Sequence, residues 1–523
     1  MTPTLIDWLL AASPLLAVLV LMVRFRWSAV RAGAVGWLTA MLAAAFRFGA
    51  GVDVLLYAQG RGLLLTLDVL YVVWGAMLFY QVTEGAGALR GVARGLPRLT
   101  ADPVMQVLLL GWVFASFLQG VGGFGVPVAV VAPLLLSLGA PPLLAVVLPT
   151  LGHGWAVTFG SLGLSFQALL AATGLPAEAL APWSAFLLGV MCLLSGAAVA
   201  QARGGWRGLL KGWPAVAIIG AAMAGVMYLV ATSGLWTLGS TAAGIAGLGV
   251  AVLVTRLPRY RARNHPGEGA QNDGNRMGVV WALAGYAVLL ALTAAIKGVP
   301  AIEGALGQVK LTLFFPETRT ALGWATPAGP GRRIDLFAHT GAVLLYAAGA
   351  TFLLYRLRGF YPRGAGRTIL QKTARGAAKS SLGILAMVAM AVVMETSGMT
   401  NVLATGLSQS VGPAIYPAVA TAIGALGAFM TGSNTNSNVV FAGLQMQTAQ
   451  LLGLSVPLVL GVQTAAGAVG SVLAPTKLIV GASTGGMAGR EGEVLRAALT
   501  GGLALLAALA AAALIAGLLF NAG

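Results

Sequence analysis

The sequence predicts an all-α polytopic membrane protein, with about twelve to fourteen transmembrane segments in two inverted repeats that contain re-entrant hairpins and broken helices. Three observations predict it. Of the 523 residues, 58% are hydrophobic and only 9% charged, against roughly 25% charged in an ordinary soluble domain. Basic residues gather in short loops at alternate ends of apolar runs, as the positive-inside bias requires. Two glycine- and polar-rich interruptions, 117–125 and 431–438, sit inside otherwise apolar stretches.

Taking ~20 apolar residues per crossing, spanning candidates fall at about 4–23, 28–48, 62–82, 103–118, 143–165, 183–202, 213–233, 236–255, 278–296, 338–355, 381–398, 413–430, 457–475 and 497–519. The apolar pieces at about 125–138 and 439–452 are short for a crossing and are expected as re-entrant or half-helices. Met1 to Asp7 lack the basic start of a signal peptide, so the first span is expected to be retained.

Basic loops at Arg24/Arg26/Arg31, Arg90/Arg94/Arg98, Arg203/Arg207/Lys211, Arg256 to Arg276, Arg356 to Lys379 and Arg490/Arg496 are assigned to the cytoplasm, which puts the N-terminus outside. The longest non-cytoplasmic loop is then 297–337, although it carries Lys297, Lys310, Arg319, Arg332 and Arg333. This distribution accounts for the net charge of +17 without a nucleic-acid surface. The single cysteine, Cys192, excludes an intrachain disulfide and lies in an apolar run. The expected organisation is N-terminal helices over 1–100, a first repeat over 101–255 with a polar break at 117–127, connecting helices over 256–380, a second repeat over 381–496 with a polar break at 431–438, and a C-terminal helix over 497–523.

The two interrupted regions share a layout: apolar helix, polar break, short apolar piece ending in Leu-Gly, proline, and a second helix with its own break. Phe117 and Gly120 align with Phe429 and Gly432, Gly139 with Gly453, and Gly160-Ser161 with Gly470-Ser471. The second breaks are expected at 149–154 and 463–467. The first region runs from a basic loop to a Lys/Arg-free one and the second the reverse, which gives the repeats opposite topology. Non-helical backbone at membrane depth is tolerated only against protein or a water-filled cavity, so paired breaks mark a transport site.

The break at 431–438 offers Ser433, Asn434, Thr435, Asn436, Ser437 and Asn438 as donors to a carboxylate or oxygens for Na⁺. The first break offers Gln119 and the backbone of Gly120, Gly122, Gly123 and Gly125, with half-helix N–H groups suited to an anion. His153, Gln463 and Thr464 belong to the second helices, and Lys477 follows as a counter-charge for an anion or as a snorkelling residue. His153, Glu395 and Asp68 are the proton-coupling candidates, the two carboxylates lying deep in apolar runs. Helix–helix packing through small and polar residues is the competing role throughout. Paired carboxylates, metal-ligand clusters, a nucleophile with its base and a phosphate-cradling loop are all missing from the sequence, so an enzyme, a metal or a cofactor is not expected.

Ordered motifs resemble the L-lactate permease family: 117–120 with 124–129, Gly205-Trp206-Arg207-Gly208 followed by Trp213-Pro214-Ala215, Ser397-Gly398-Met399-Thr400, 431–438 and 489–496. The resemblance implies a bacterial inner-membrane carrier that takes up lactate, glycolate or a similar 2-hydroxymonocarboxylate, usually with protons, through halves that contain re-entrant hairpins. This chain has Gln119 where the family commonly has Glu, His153 where it often has Asn, Asn434 where some members have Asp, and Lys477 where Gln is usual. The expected partners are a small organic anion, a coupling ion and the bilayer. H⁺ is the first expectation for that ion. Na⁺ is the alternative, because Ser433-Asn434-Thr435 resembles a signature of sodium-dependent carboxylate transporters. A membrane-embedded enzyme and a passive channel are the remaining alternatives.

Overall fold

A computed structural model describes residues 4–25, 27–123, 125–260 and 277–520. The expectations placed on Arg26, Phe124, the basic stretch 261–276 and the two chain ends lie outside the described residues. Among the described residues, eight helices are long and apolar enough to cross a membrane, or up to eleven with each bent helix pair counted as one span.

The chain begins with α1 (Leu5–Val23), capped by reciprocal bonds between Thr4 and Asp7, and α2 (Ala29–Phe46). The 34-residue α3 (Val52–Gly85) is longer than the expected 62–82 because its first turns meet a folded ribbon described below. A short amphipathic helix, α4 (Ala88–Gly95), leads to the first repeat.

That repeat consists of α5 (Pro103–Val107), which continues through a π-helical stretch into α6 (Ala115–Val121), then α7 (Val126–Ser137), α8 (Pro142–His153) and α9 (Gly160–Thr173). After it, α10 (Ala177–Val230) turns back on itself at Gly204 and Gly205. Its halves run antiparallel, with Gly189 facing Ala224, Leu193 facing Gly220 and Ala200 facing Gly212, small residues that let the backbones approach. Hence the expected spans 183–202 and 213–233 form one hairpin, followed by α11 (Gly239–Val254).

The expected loop 297–337 is folded. Helices α12 (Val279–Gly298) and α13 (Pro300–Leu306) precede six two-residue strands, β1 (Lys310–Leu311), β2 (Phe314–Phe315), β3 (Thr318–Arg319), β4 (Ala325–Thr326), β5 (Gly329–Pro330) and β6 (Ile334–Asp335). They pair β1 with β6, β2 with β5 and β3 with β4, so the segment is one long antiparallel hairpin. Phe315 is its buried anchor, packed on Gly60 and edge-on to Tyr57, and Ala321 N–H at the tip donates to the Gly49 carbonyl at 2.8 Å.

The remaining helices are α14 (Thr340–Leu357), α15 (Ala365–Thr396), α16 (Met399–Ser410), α17 (Tyr416–Thr431), α18 (Asn434–Leu451), α19 (Val456–Val472), α20 (Pro475–Thr484) and α21 (Glu491–Phe520). Helices α17 to α20 repeat the layout of α5 to α9. The turns that close the two hairpins match bond for bond: Gly139 and Gly453 are both left-handed, and the next residue's N–H donates back five positions, Ala140 to Leu135 and Leu454 to Ala449. The repeats also exchange contacts reciprocally, α9 packing on α18 and α20 on α7. Such an exchange is what a two-fold relation between inverted repeats produces.

Two expected breaks lie elsewhere. Residues 463–467 are inside the continuous α19, and the chain turns at Leu473 and Ala474 before Pro475. Proline has no N–H to donate and pushes the preceding residue into extended backbone, and Ala474 has ψ 134°. The polar and small residues 463–467 serve close packing instead, with Gly424 against the Gln463 carbonyl. In the first repeat α8 runs to His153, and the break follows it at 154–163.

Candidate functional site

A cavity of about 240 Å³ brings the paired interruptions together. Gln119 of α6, Ser161 and Ser165 of α9, Thr431 to Asn436 at the α17–α18 break, and Lys477 of α20 all line it. The start of α2 from its cap Ser28 to Val30, Ser380, Gly383 and Ile384 of α15, and the apolar Val73, Val157 and Leu164 complete the wall. Ser28 is exposed, so the cavity extends to the end of the fold that carries the basic loop around Arg24 and Arg31.

The α17–α18 break is tighter than the expected 431–438. Thr431 ends α17, Gly432 is left-handed at φ 68°, and Ser433 is the extended N-cap of α18, accepting from Asn436 N–H at 3.3 Å. Glycine is required here, since a left-handed residue costs other side chains roughly 1–2 kcal/mol. Asn434 to Asn438 then form the first turns of α18. Unpaired N–H groups at a helix start carry partial positive charge, and this start faces the cavity.

Side chains of both repeats interlock beneath it. Asn434 Nδ2 donates to Thr158 Oγ1 and to the Thr464 carbonyl, each at 3.1 Å. Asn438 Nδ2 donates to the Ser165 carbonyl and to Thr464 Oγ1, each at 2.9 Å. Ser165 and Thr435 hydroxyls lie 3.2 Å apart. Ser437 bonds the Gly424 carbonyl, and Gln463 donates to Ser437 Oγ and accepts from Gln445. Asn438, Ser437, Gln463 and Thr464 therefore hold the cavity floor without lining it.

Several polar atoms at this junction have no protein partner. The Oδ1 atoms of Asn434, Asn436 and Asn438 are buried without a hydrogen-bond partner. Gln119 is 3% exposed, and its amide has no protein partner among the described residues. Lys477 Nζ reaches Ser471 Oγ at 3.3 Å, and among the described lining residues it is the one cation, with no carboxylate to neutralise it. Buried polar groups are normally satisfied, so such a cluster points to a bound species.

Backbone strain is concentrated at the same place. Ser161 and Leu162 adopt left-handed φ of 48° and 57°, followed by Gly163 at 78°. That turn aims Ser161 into the cavity. Consecutive left-handed residues other than glycine cost of order 1–3 kcal/mol each and persist only where surrounding structure imposes them. Ser165 and Thr158 were not singled out from the sequence, and Ser161 entered it only through the alignment of Gly160-Ser161 with Gly470-Ser471.

The other expected site residues are placed differently. Gly120 lies against Ser240 and Thr241 of α11, Gly122 against the Tyr80 ring and Gly123 against Ser161, so these glycines serve close packing. Gly125, left-handed at φ 88°, starts α7. His153 is buried outside the cavity lining, with Nδ1 2.5 Å from the Pro149 carbonyl. Glu395 lines a separate cavity of about 450 Å³ beside the hairpin, together with Arg61, Arg332 and Trp324.

Asp68 is 1% exposed and fully bonded. Arg332 Nε donates to Oδ2 at 3.0 Å, Gln167 Nε2 to Oδ2 at 2.9 Å, and His339 Nε2 lies 2.9 Å from Oδ1. His339 Nδ1 accepts the Gly341 N–H as the cap of α14, so the proton sits on Nε2 and is donated to Asp68. Tyr71 stacks on the imidazole at 5.0 Å. This network ties α3 and α9 to the base of the hairpin.

A family model described as L-lactate permease matches residues 7–520. The glycolate permease GlcA of Escherichia coli K12 is 26% identical, covering 93% of this chain and 91% of its own length. The L-lactate permease of the same organism is 26% identical, with 82% and 80% covered. That of Streptococcus iniae is 27% identical, with 86% and 92% covered. The solved YdaH transporter of Alcanivorax borkumensis aligns over 86% of this chain and 85% of that one, at 16% identity and a TM-score of 0.45.

Proposed function

The chain belongs to the L-lactate permease family, and from that premise we propose that it is a secondary carrier of small 2-hydroxymonocarboxylates such as lactate or glycolate, residing in a bacterial inner membrane and working by alternating access. The observation that carries this reading is the cavity at the junction of the two repeats, with Lys477 uncompensated and the α18 N-terminus facing in. A carboxylate takes the ammonium and the helix start. The 2-hydroxyl, a donor, takes the orphaned amide oxygen of Asn436. Cavity size agrees with a small acid. Because the cavity ends beside the basic α1–α2 loop, the conformation described is inward-facing under the positive-inside assignment.

For the coupling ion, proton symport is the family expectation. None of His153, Glu395 or Asp68 lines the cavity, so a proton would act away from the substrate. A specific observation favours Na⁺ as the second reading: the amide oxygens of Asn434, Asn436 and Asn438 are unsatisfied among the hydroxyls of Thr435 and Ser433, an oxygen-rich set that suits a hard cation. Proteoliposomes with separately imposed H⁺ and Na⁺ gradients decide between them through uptake of labelled L-lactate and glycolate. Accumulation with either gradient supports the carrier, and flux that only equilibrates would make it a passive channel.

A further inference from the structure

The second cavity, of about 450 Å³, lies toward the C-terminal end of α9, about two turns along that helix from the first. Leu164 and Ser165 face the first cavity, whereas Ala171 to Gly174 face the second. Its charged wall consists of Arg61, Arg332, Arg333 and Glu395. Arg333 is paired with Asp335 at 2.9 Å. Arg61 donates to the Pro327 carbonyl at 3.1 Å and lies 4.9 Å over the Phe315 ring, with no carboxylate at ion-pair distance among the described residues. Gln447, also in the wall, has a buried Oε1 without a partner. Arg332 belongs to both worlds: its side chain is 27% exposed in this vestibule while its Nε is bonded to buried Asp68 and its Nη1 approaches the Leu170 carbonyl at 3.5 Å.

We propose that this vestibule is a second carboxylate-binding station, at which an incoming small monocarboxylate takes Arg332 over from Asp68 and thereby unlatches the hairpin side of the fold. The proposal rests on the permease reading for the identity of the anion. Its chemistry is an exchange of like acceptors. The carboxylate of Asp68 and that of a 2-hydroxy acid present the same two oxygens to a guanidinium. Asp68 is not left bare when Arg332 departs, because His339 Nε2–H and Gln167 Nε2–H remain on its two oxygens. Arg61 lines the same vestibule beside Glu395, with which it interacts electrostatically, and adds a second guanidinium to its wall. When Arg332 turns to the ligand its Nη1 also leaves the Leu170 carbonyl, which loosens the hairpin from α9, the helix that carries Ser161 and Ser165 of the central cavity. Anion capture at the vestibule is thus linked to the wall of the transport site.

The test measures L-lactate KM separately from each face, in vesicles of known orientation, with melting temperature recorded for every variant. Arg332→Gln raises the KM on the hairpin face about tenfold, the loss of one charge-assisted hydrogen bond, and leaves the KM on the opposite face within twofold. Asp68→Asn moves the hairpin-face KM the other way, downward about threefold, because a weaker competitor holds Arg332. Arg61→Gln, outside the latch, raises it about threefold and remains informative if an Arg332 variant fails to fold. Equal KM shifts on both faces, or shifts of the same sign in Asp68→Asn and Arg332→Gln, overturn the proposal. A second arm needs no transport: L-lactate added to purified protein changes tryptophan emission, and the change is lost in Trp324→Phe and in Arg332→Gln. If wild-type protein shows that response but no L-lactate flux, the carrier reading fails and the vestibule stands. Flux without any Trp324-dependent response removes the vestibule and leaves the carrier.

Discussion

Asn434 of the second repeat donates through Nδ2 to Thr158 Oγ1 of the first at 3.1 Å, and both close on the Thr464 carbonyl. The seam between the repeats therefore runs through the polar break itself, and the Asn434 amide oxygen is left unpartnered against Gly467 of α19.

Replacing Asn434 with Ala removes the seam donor and leaves the buried Thr158 Oγ1 without it, while the Thr464 carbonyl keeps only the Thr158 hydroxyl as a side-chain donor. Uptake is expected to be lost, with a stability cost of about 1–3 kcal/mol from the unsatisfied groups. Asn434→Asp distinguishes the coupling readings: an added carboxylate weakens substrate anion binding and strengthens the Na⁺ dependence of transport in flux assays.

Lys477→Gln removes the cavity's cation. The KM for L-lactate is expected to rise about tenfold to hundredfold, the range of a charge-assisted hydrogen bond. Lys477→Arg should restore part of the affinity, whereas a purely snorkelling lysine would leave KM unchanged in Gln and Arg alike.

His153→Gln is expected to act on stability rather than on substrate affinity, because the imidazole is bonded within its own helix to the Pro149 carbonyl and does not reach the cavity. A thermal melt lowered by a few degrees with KM for L-lactate within twofold is the expected result. A change in the pH dependence of uptake would restore His153 as a proton-linked group.

Gly432→Ala places a side chain where φ is 68° and where a Cβ would come 2.7 Å from Thr476 Oγ1. Beyond the roughly 1–2 kcal/mol of left-handed strain, the substitution displaces the start of α18 against α20. Uptake should fall more than the melting temperature does, measured in the same preparation.

The helical architecture and the repeat were legible because each depends on local pattern. Gly139 and Gly453 aligned in sequence, and both close a hairpin with the same left-handed turn. The breaks of the second helices were misplaced because polar and small residues at 463–467 signal helix–helix contact as readily as chain reversal, and the deciding residue was Pro475. The β-hairpin was not legible: strands of two residues are too short to show alternation, and Lys310 pairs with Asp335 far along the chain. Asp68 stood out from the sequence as a buried carboxylate, yet its partners Gln167, Arg332 and His339 lie 99, 264 and 271 residues away. Only the fold identifies them. Gln119, Ser433 to Asn436 and Lys477 were named from their place in or after the polar breaks, and the fold brings these to one cavity.

The most direct test is counterflow in proteoliposomes, which needs no coupling gradient. Vesicles loaded with unlabelled L-lactate and diluted into trace labelled L-lactate should show a transient internal excess of label, competed by glycolate and abolished at the same concentration in Lys477→Gln. Label that never exceeds its external concentration, or an overshoot identical in Lys477→Gln, would contradict a carboxylate carrier centred on this cavity.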